Sequence, residues 1–141
     1  MTPFGERLRA LRAARNLTQQ ELAAKLGVSN AYLSALEHGR RGVPTFDLLQ
    51  RIITTLGVIW DEADELTRLA GLSHPKPTID TGGLSAEATE LANLLAQNIR
   101  VLQPEEIADL LRQTRRHVRE AQRASRVRSA ESADSRDGDL P

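Results

Sequence analysis

An all-α fold is what this sequence predicts, and three observations carry it. Apolar residues recur at three- and four-residue intervals, and no run alternates apolar with polar as a half-buried strand would. Aromatic residues are limited to Phe4, Tyr32, Phe46 and Trp60. A core must therefore come from Leu, Ile, Val and Ala, a set that suits helices. Start and stop signals bracket the periodic stretches. A chain of 141 residues has room for one or two small domains.

The first helix opens on Pro3, which suits a first helical turn, and carries Phe4, Leu8 and Leu11 inward. Arg7, Arg9, Arg12 and Arg15 lie off that stripe, and a solvated face is the expectation for most of them. Asn16 ends the helix. The stretch from Leu17 to Gly39, LTQQELAAKLGVSNAYLSALEHG, then encodes two short helices. Thr18 and Glu21 form a capping box: the hydroxyl accepts from the backbone N–H three residues on, and the carboxylate reaches back. Leu22, Ala23 and Leu26 share one face, and Gly27 supplies a left-handed stop. Ser29 caps the next helix, with Leu33 and Leu36 inward and Gly39 as its end.

The loop RRGVPT follows, and Pro44 excludes helix just before it. Thr45 is a natural cap for a fourth helix to Leu56, with Phe46, Leu49, Ile52, Ile53 and Leu56 available for burial and Gly57 as its stop. Asp61 is expected to cap a fifth helix that carries Leu66 and Leu69 to Gly71, with an acidic first turn that favours the helix dipole. Residues 72–83 read as a linker, because SHPKPTIDTGG has two prolines, two glycines and no periodicity.

Beyond it, Ser85 can cap a helix in which Leu84, Ala88, Leu91, Leu95 and Leu102 recur, with Leu94 and Ile99 widening the stripe. Pro104 restarts a helix with Glu105 and Glu106 in its first turn and Ile107, Leu110, Leu111, Thr114 and Val118 on one face. So short a connection makes residues 84–124 a helical hairpin. A hairpin cannot bury both stripes alone, and a second copy of the chain is the expected partner. Arg112, Arg115, Arg116, Arg119 and Arg123 form a basic run. A second phosphate-contacting surface is one reading; cations favoured near a helix C-terminus, diluted by Asp109 and Glu120, is the preferred one. Residues 125–141, rich in Ser, Ala, Arg and Asp, are expected to be a disordered tail.

A helix, a short glycine-containing turn and a second helix make a helix-turn-helix. TQQELA at the first helix, LGVS at the turn and YLSALEHGRR closing the second resemble the Cro/repressor-type, XRE-like family of bacterial and phage regulators. The resemblance extends over Phe4 to Gly71. It implies a five-helix, lambda-repressor-like DNA-binding domain at residues 1–71, in which the second helix of the motif lies in the major groove. On that basis Asn30, Ala31, Ser34 and Ala35 face bases. A carboxamide at Asn30 can pair bidentately with adenine. The same resemblance places Gln19, Ser29, Tyr32, His38, Arg40 and Arg41 at phosphates, aided by free N–H groups at helix N-termini. Glu37 is expected to brace the fold. Ile59 and Trp60 stand where the family is expected to hold more polar residues; they either pack on a second domain or partner or deepen the core.

Charge distribution agrees with this expectation. The net charge is zero, but from Met1 to Val58 eight basic residues face only Glu6, Glu21, Glu37 and Asp47. A polyanion feels that local field. Cysteine is absent, so disulfides and thiolate metal sites are excluded, and His38, His74 and His117 are too dispersed to form a ligand cluster. No glycine-rich phosphate loop, metal spacing or nucleophile–base set is visible, so no enzyme and no cofactor are expected. No apolar run approaches a membrane span and no leader opens the chain. The expectation is a cytoplasmic homodimer that binds double-stranded DNA as a repressor at a pseudopalindromic operator. An autoregulating antitoxin and an interaction adaptor that has lost DNA binding are the alternatives.

Overall fold

Seven helices occupy the described residues, 1–137, of a computed structural model: α1 (Pro3–Ala14), α2 (Gln19–Leu26), α3 (Asn30–Glu37), α4 (Phe46–Leu56), α5 (Trp60–Gly71), α6 (Ala86–Asn98) and α7 (Pro104–Asp137). No strand occurs among the described residues. The chain divides into two units, Met1–Thr78 and a second that begins at Ile79.

In the first unit α1 packs against α3 and α5, and α2 against α3 and α4. Phe4, Leu8 and Leu11 of α1 meet Leu22 and Leu26 of α2, Leu33 and Leu36 of α3, Leu48, Leu49, Ile52 and Leu56 of α4, and Leu66 of α5 in one core. Each such side chain contributes about 1.5–3 kcal/mol by leaving water. The crossing of α1 over α3 depends on Gly5. A Cβ there would run into the Glu37 carbonyl and lie 2.8 Å from the Leu36 carbonyl.

Local signals explain most helix ends. Thr2, Thr18, Ser29, Thr45 and Ser85 each accept a backbone N–H at a helix N-terminus. Gly27 and Gly57 take left-handed φ values of 70° and 63° at C-termini. Asn16 follows α1 at φ 54°, a conformation that asparagine tolerates.

Several expectations are corrected. Phe46 is 76% exposed and Leu48 is buried in its place. Two residues along a helix turn about 200°, so a stripe centred on Leu48, Leu49, Ile52 and Leu56 points Phe46 to solvent. Asp61 does not cap α5. Ile59 holds that position without a side-chain bond, and Trp60 enters at φ 51° with 82% exposure. Ile59 and Trp60 therefore do not deepen the core. The first unit also runs past Gly71. Ser73 is buried, accepts the Phe4 N–H at 3.0 Å and donates to the Leu69 carbonyl at 2.6 Å. Pro75 lies directly against Gly42.

In the second unit α6 buries no residue. Ala88, Ala92, Leu95 and Leu102 are half-buried, whereas Leu91, Leu94, Leu110, Leu111 and Val118 are exposed. The expected disordered tail is corrected for residues 125–137, which continue α7 to a length of 34 residues. Between Glu105 and Asp137 there is neither glycine nor proline, and Ala, Arg and Glu favour helix. The remainder of that expectation, residues 138–141, lies outside the described residues.

Candidate nucleic-acid interface

Both arms of the capping box at α2 are formed. The Glu21 N–H donates to Thr18 Oγ1 at 3.1 Å, and the Thr18 N–H donates to Glu21 Oε2 at 2.7 Å. These bonds, the Thr18 backbone amide first, hold the Glu21 carboxyl below its ordinary range. A depressed folded value stabilises the fold above the unfolded value, and the gain disappears as pH falls through the folded one. Glu21→Gln is accordingly expected to flatten the loss of thermal stability with falling pH on the acid side of about 4.5 and to leave the slope near neutrality unchanged. Calorimetry across that range checks it.

The left-handed turn at Gly27 swings the chain into Ser29, whose Oγ accepts the Tyr32 N–H at 3.0 Å. Asn30 and Ala31 at the start of α3 are exposed, and Ser34 and Ala35 are half-buried one turn on. Tyr32 is half-buried against the core, and the Arg41 guanidinium stands 5.6 Å over its ring. Gly39 turns the chain at φ 76°, and the N–H groups of Arg40 and Arg41 both donate to the Ala35 carbonyl, at 2.8 and 3.2 Å. The loop backbone is thus held while both arginine side chains stay exposed. His38 Nδ1–H donates to the Ser34 carbonyl at 2.7 Å. Every residue expected at bases or phosphates lies on α2's first turn, on α3 or its cap, or in the turn beyond.

Sequence reasoning expected Glu37 to brace the fold but missed its partners, Arg12 and Gln19. Glu37, in the last turn of α3, is 1% exposed. It receives Arg12 Nε at 2.6 Å and Nη2 at 3.2 Å, a bidentate contact, and Gln19 Nε2 at 3.0 Å. Arg12 also donates to the Leu17 carbonyl at 2.8 Å. One carboxylate therefore ties α3 to α1 and to α2, and its partner Arg12 ties α1 to the loop before α2. Gln19 contributes its carboxamide to this brace, which leaves its backbone N–H for an anion. The expectation of a solvated arginine face on α1 is also corrected. Arg15 donates to the Leu56 and Leu11 carbonyls, and Arg7 pairs with Glu62 at 3.4 Å. A signal for the brace was present: the Leu33–Leu36–Glu37 face carries a carboxylate at an inward position, which requires a buried cation.

The first unit is therefore a helix-turn-helix domain whose second helix presents small and polar side chains from a braced frame. Residues 3–74 match the family described as "Helix-turn-helix domain", and the chain belongs to that family. Among curated proteins, the uncharacterized HTH-type transcriptional regulator RghRB of Bacillus subtilis is 41% identical over 61 residues, 43% of this chain and 44% of that protein. The HTH-type transcriptional repressor RghR of the same organism is 43% identical over 61 residues, 43% of this chain and 45% of that protein. The chain thus spans less than half the length of these relatives. A solved structure titled SinR protein/SinI protein complex aligns with 82% of this chain and 98% of its own at 23% identity and a TM-score of 0.40.

Among the described residues no group of His, Asp and Glu could hold a metal ion, and no helix is long and apolar enough to cross a membrane.

Proposed function

We propose that this chain is a sequence-specific regulator of transcription that binds duplex DNA through α3. The observation that carries the reading is the α2–turn–α3 frame, with Asn30 and Ala31 exposed at the start of α3 and the Glu37 carboxylate holding the helix from behind. Asn30 reads a base edge, Ala31 meets a thymine methyl, and Ser34 and Ala35 line the groove. Phosphates are met by the backbone at Gln19 and by Ser29, Tyr32, His38, Arg40 and Arg41. So sparse a set of base readers leaves much of the specificity to DNA shape and deformability. RghR is named a repressor, which supports repression as the sense of regulation here. Residues 84–124 serve as the dimer contact, a reading supported by the exposed stripe of Leu91, Leu94, Leu110, Leu111 and Val118. A dimer of this kind acts in the cytoplasm on a pseudopalindromic operator.

Selection from a random duplex library tests the reading. The enriched sites should hold two half-sites about 34 Å, or a multiple of it, from centre to centre. On such a site Asn30→Ala is expected to weaken binding by about 1–3 kcal/mol and to relax one base position per half-site. Arg40→Ala is expected to weaken all sequences alike and to lower the salt slope by about 0.9 for each phosphate it no longer neutralises. Unchanged duplex affinity in both variants would mean that α3 is not the reading helix.

A further inference from the structure

We propose that the middle of α7 is a second surface for duplex DNA, where an arginine face engages the sugar–phosphate backbone irrespective of sequence. The inference rests on the reading of the chain as a DNA-binding protein but assigns a site outside the helix-turn-helix unit. Arg112, Arg115, Arg116, Arg119, Arg123 and Arg126 lie on one helix. At 3.6 residues per turn they fall within an arc of about 100° and span ~21 Å of helix length. The same geometry turns Ile107, Leu110, Thr114 and Val118 to the other side, with Leu111 at its edge. From Ile107 to Val118 α7 is thus apolar along one face and cationic along the opposite one, and the first can be covered while the second stays in solvent.

Helix design does not account for this stripe. Cations stabilise a helix within its last turn, but α7 continues to Asp137, eleven residues beyond Arg126, and Glu131 and Asp134 intervene. Ion pairing does not account for it either. Arg112 meets Asp109 at 3.3 Å, and Glu120 lies near His117 at 3.9 Å. The other five arginines form no ion pair among the described residues, and all are exposed. Like charges three and four residues apart repel one another along a helix. The five without an ion pair are therefore a local cost that a polyanion removes.

The chemistry selects the partner. All six cations are arginine, and α7 contains no lysine. The guanidinium fork fits phosphate oxygens in pairs. Duplex DNA carries about one charge per 1.7 Å of axis, so six cations over ~21 Å face an excess of phosphates. α7 has no aromatic residue, whereas single-stranded nucleic acid is held by aromatic stacking. The acidic residues at both ends, Glu105 and Glu106 before and Glu131 and Asp134 after, confine contact to the central turns.

The test uses the full chain carrying R115Q, R116Q, R119Q, R123Q and R126Q, substitutions that keep helix propensity, beside the five matching Arg→Lys changes. Binding to a random-sequence duplex is measured between about 50 and 200 mM salt, where each phosphate left unneutralised lowers the log–log slope by about 0.9. The glutamine variant is expected to show a slope smaller by about 2–4 and an affinity at least tenfold weaker, with unchanged helicity, while the lysine variant keeps most of the slope. Glutamine and wild-type chains with equal slopes would overturn the proposal, as would a lysine variant whose slope falls as far as that of the glutamine one. Loss of binding to phosphatidylserine vesicles, with duplex binding intact, would assign the face to a membrane instead and also overturn it. Asn30→Ala and Arg40→Ala in parallel separate the two sites. If they alone weaken binding, the helix-turn-helix reading stands and this one falls. If only the glutamine variant weakens it, the reverse holds.

Discussion

Arg12→Ala is expected to lower the stability of the first unit by about 3–5 kcal/mol, the usual cost of removing one partner from a buried ion pair. The carboxylate left behind, Glu37, is 1% exposed, so water cannot replace the two guanidinium bonds that disappear. Gln19 would remain as one neutral donor at 3.0 Å, which is too little for a charge. A small domain has only about 5–15 kcal/mol in total, so the variant should be close to unfolding. Amide hydrogen exchange in α1 and α3 reads the effect in the unit concerned, without contribution from the second unit's helices. Replacing both partners, Arg12→Met with Glu37→Leu, should restore much of the stability, because well-packed apolar groups remove the desolvation cost of two charges. If the single variant were no less stable than wild type, Glu37 would not be the brace of α3. The double variant is informative about function as well. It keeps the core but lacks the polar bonds that set the angle of α3, so its affinity for duplex DNA should stay low after its stability recovers.

Gly5→Val should be nearly as damaging, through backbone rather than charge. Any Cβ at residue 5 meets the carbonyls of Leu36 and Glu37. Neither can move without displacing the end of α3 relative to α1. Overpacking of this kind costs about 1–3 kcal/mol, and more when the obstacle is rigid. A branched side chain adds two methyl groups to the same space, so the upper end is expected for valine and the lower for Gly5→Ala. Thermal unfolding of the three proteins should rank them in that order. Equal stability of the alanine variant would show that α1 and α3 can separate freely, and a crossing that loose could not hold α3 at a fixed angle.

The motif itself is legible from local sequence. Thr18 and Glu21, Gly27, and Ser29 declare their roles within four residues of themselves, because capping and left-handed turns are decided by neighbours along the chain. The arginine face of α7 is half legible. Its residues are visible as a run, but their meaning depends on where the helix ends. A composition poor in apolar residues after Ser125 points to disorder, yet no glycine or proline interrupts the helix before Asp137. Moving the helix end by more than three turns removes the dipole as an explanation.

Ser73 is not legible at all. A serine followed by His-Pro-Lys-Pro looks like linker, and its partner Phe4 lies 69 residues earlier. Nor is the direction of Phe46, since a large aromatic at a helix start is equally compatible with either face.

The sequence by itself therefore determined the all-helical class, the order of the five helices in the first unit, most of their caps and the helix-turn-helix. All of these follow from interactions within one or two turns. Only the tertiary structure decided which charged groups go inside. Arg12 and Glu37 are 25 residues apart. Whether a polar side chain is a DNA contact, a brace or a solvated ornament depends on what the folded chain brings within about 3 Å of it, and that distance is set by how helices cross rather than by how they begin and end.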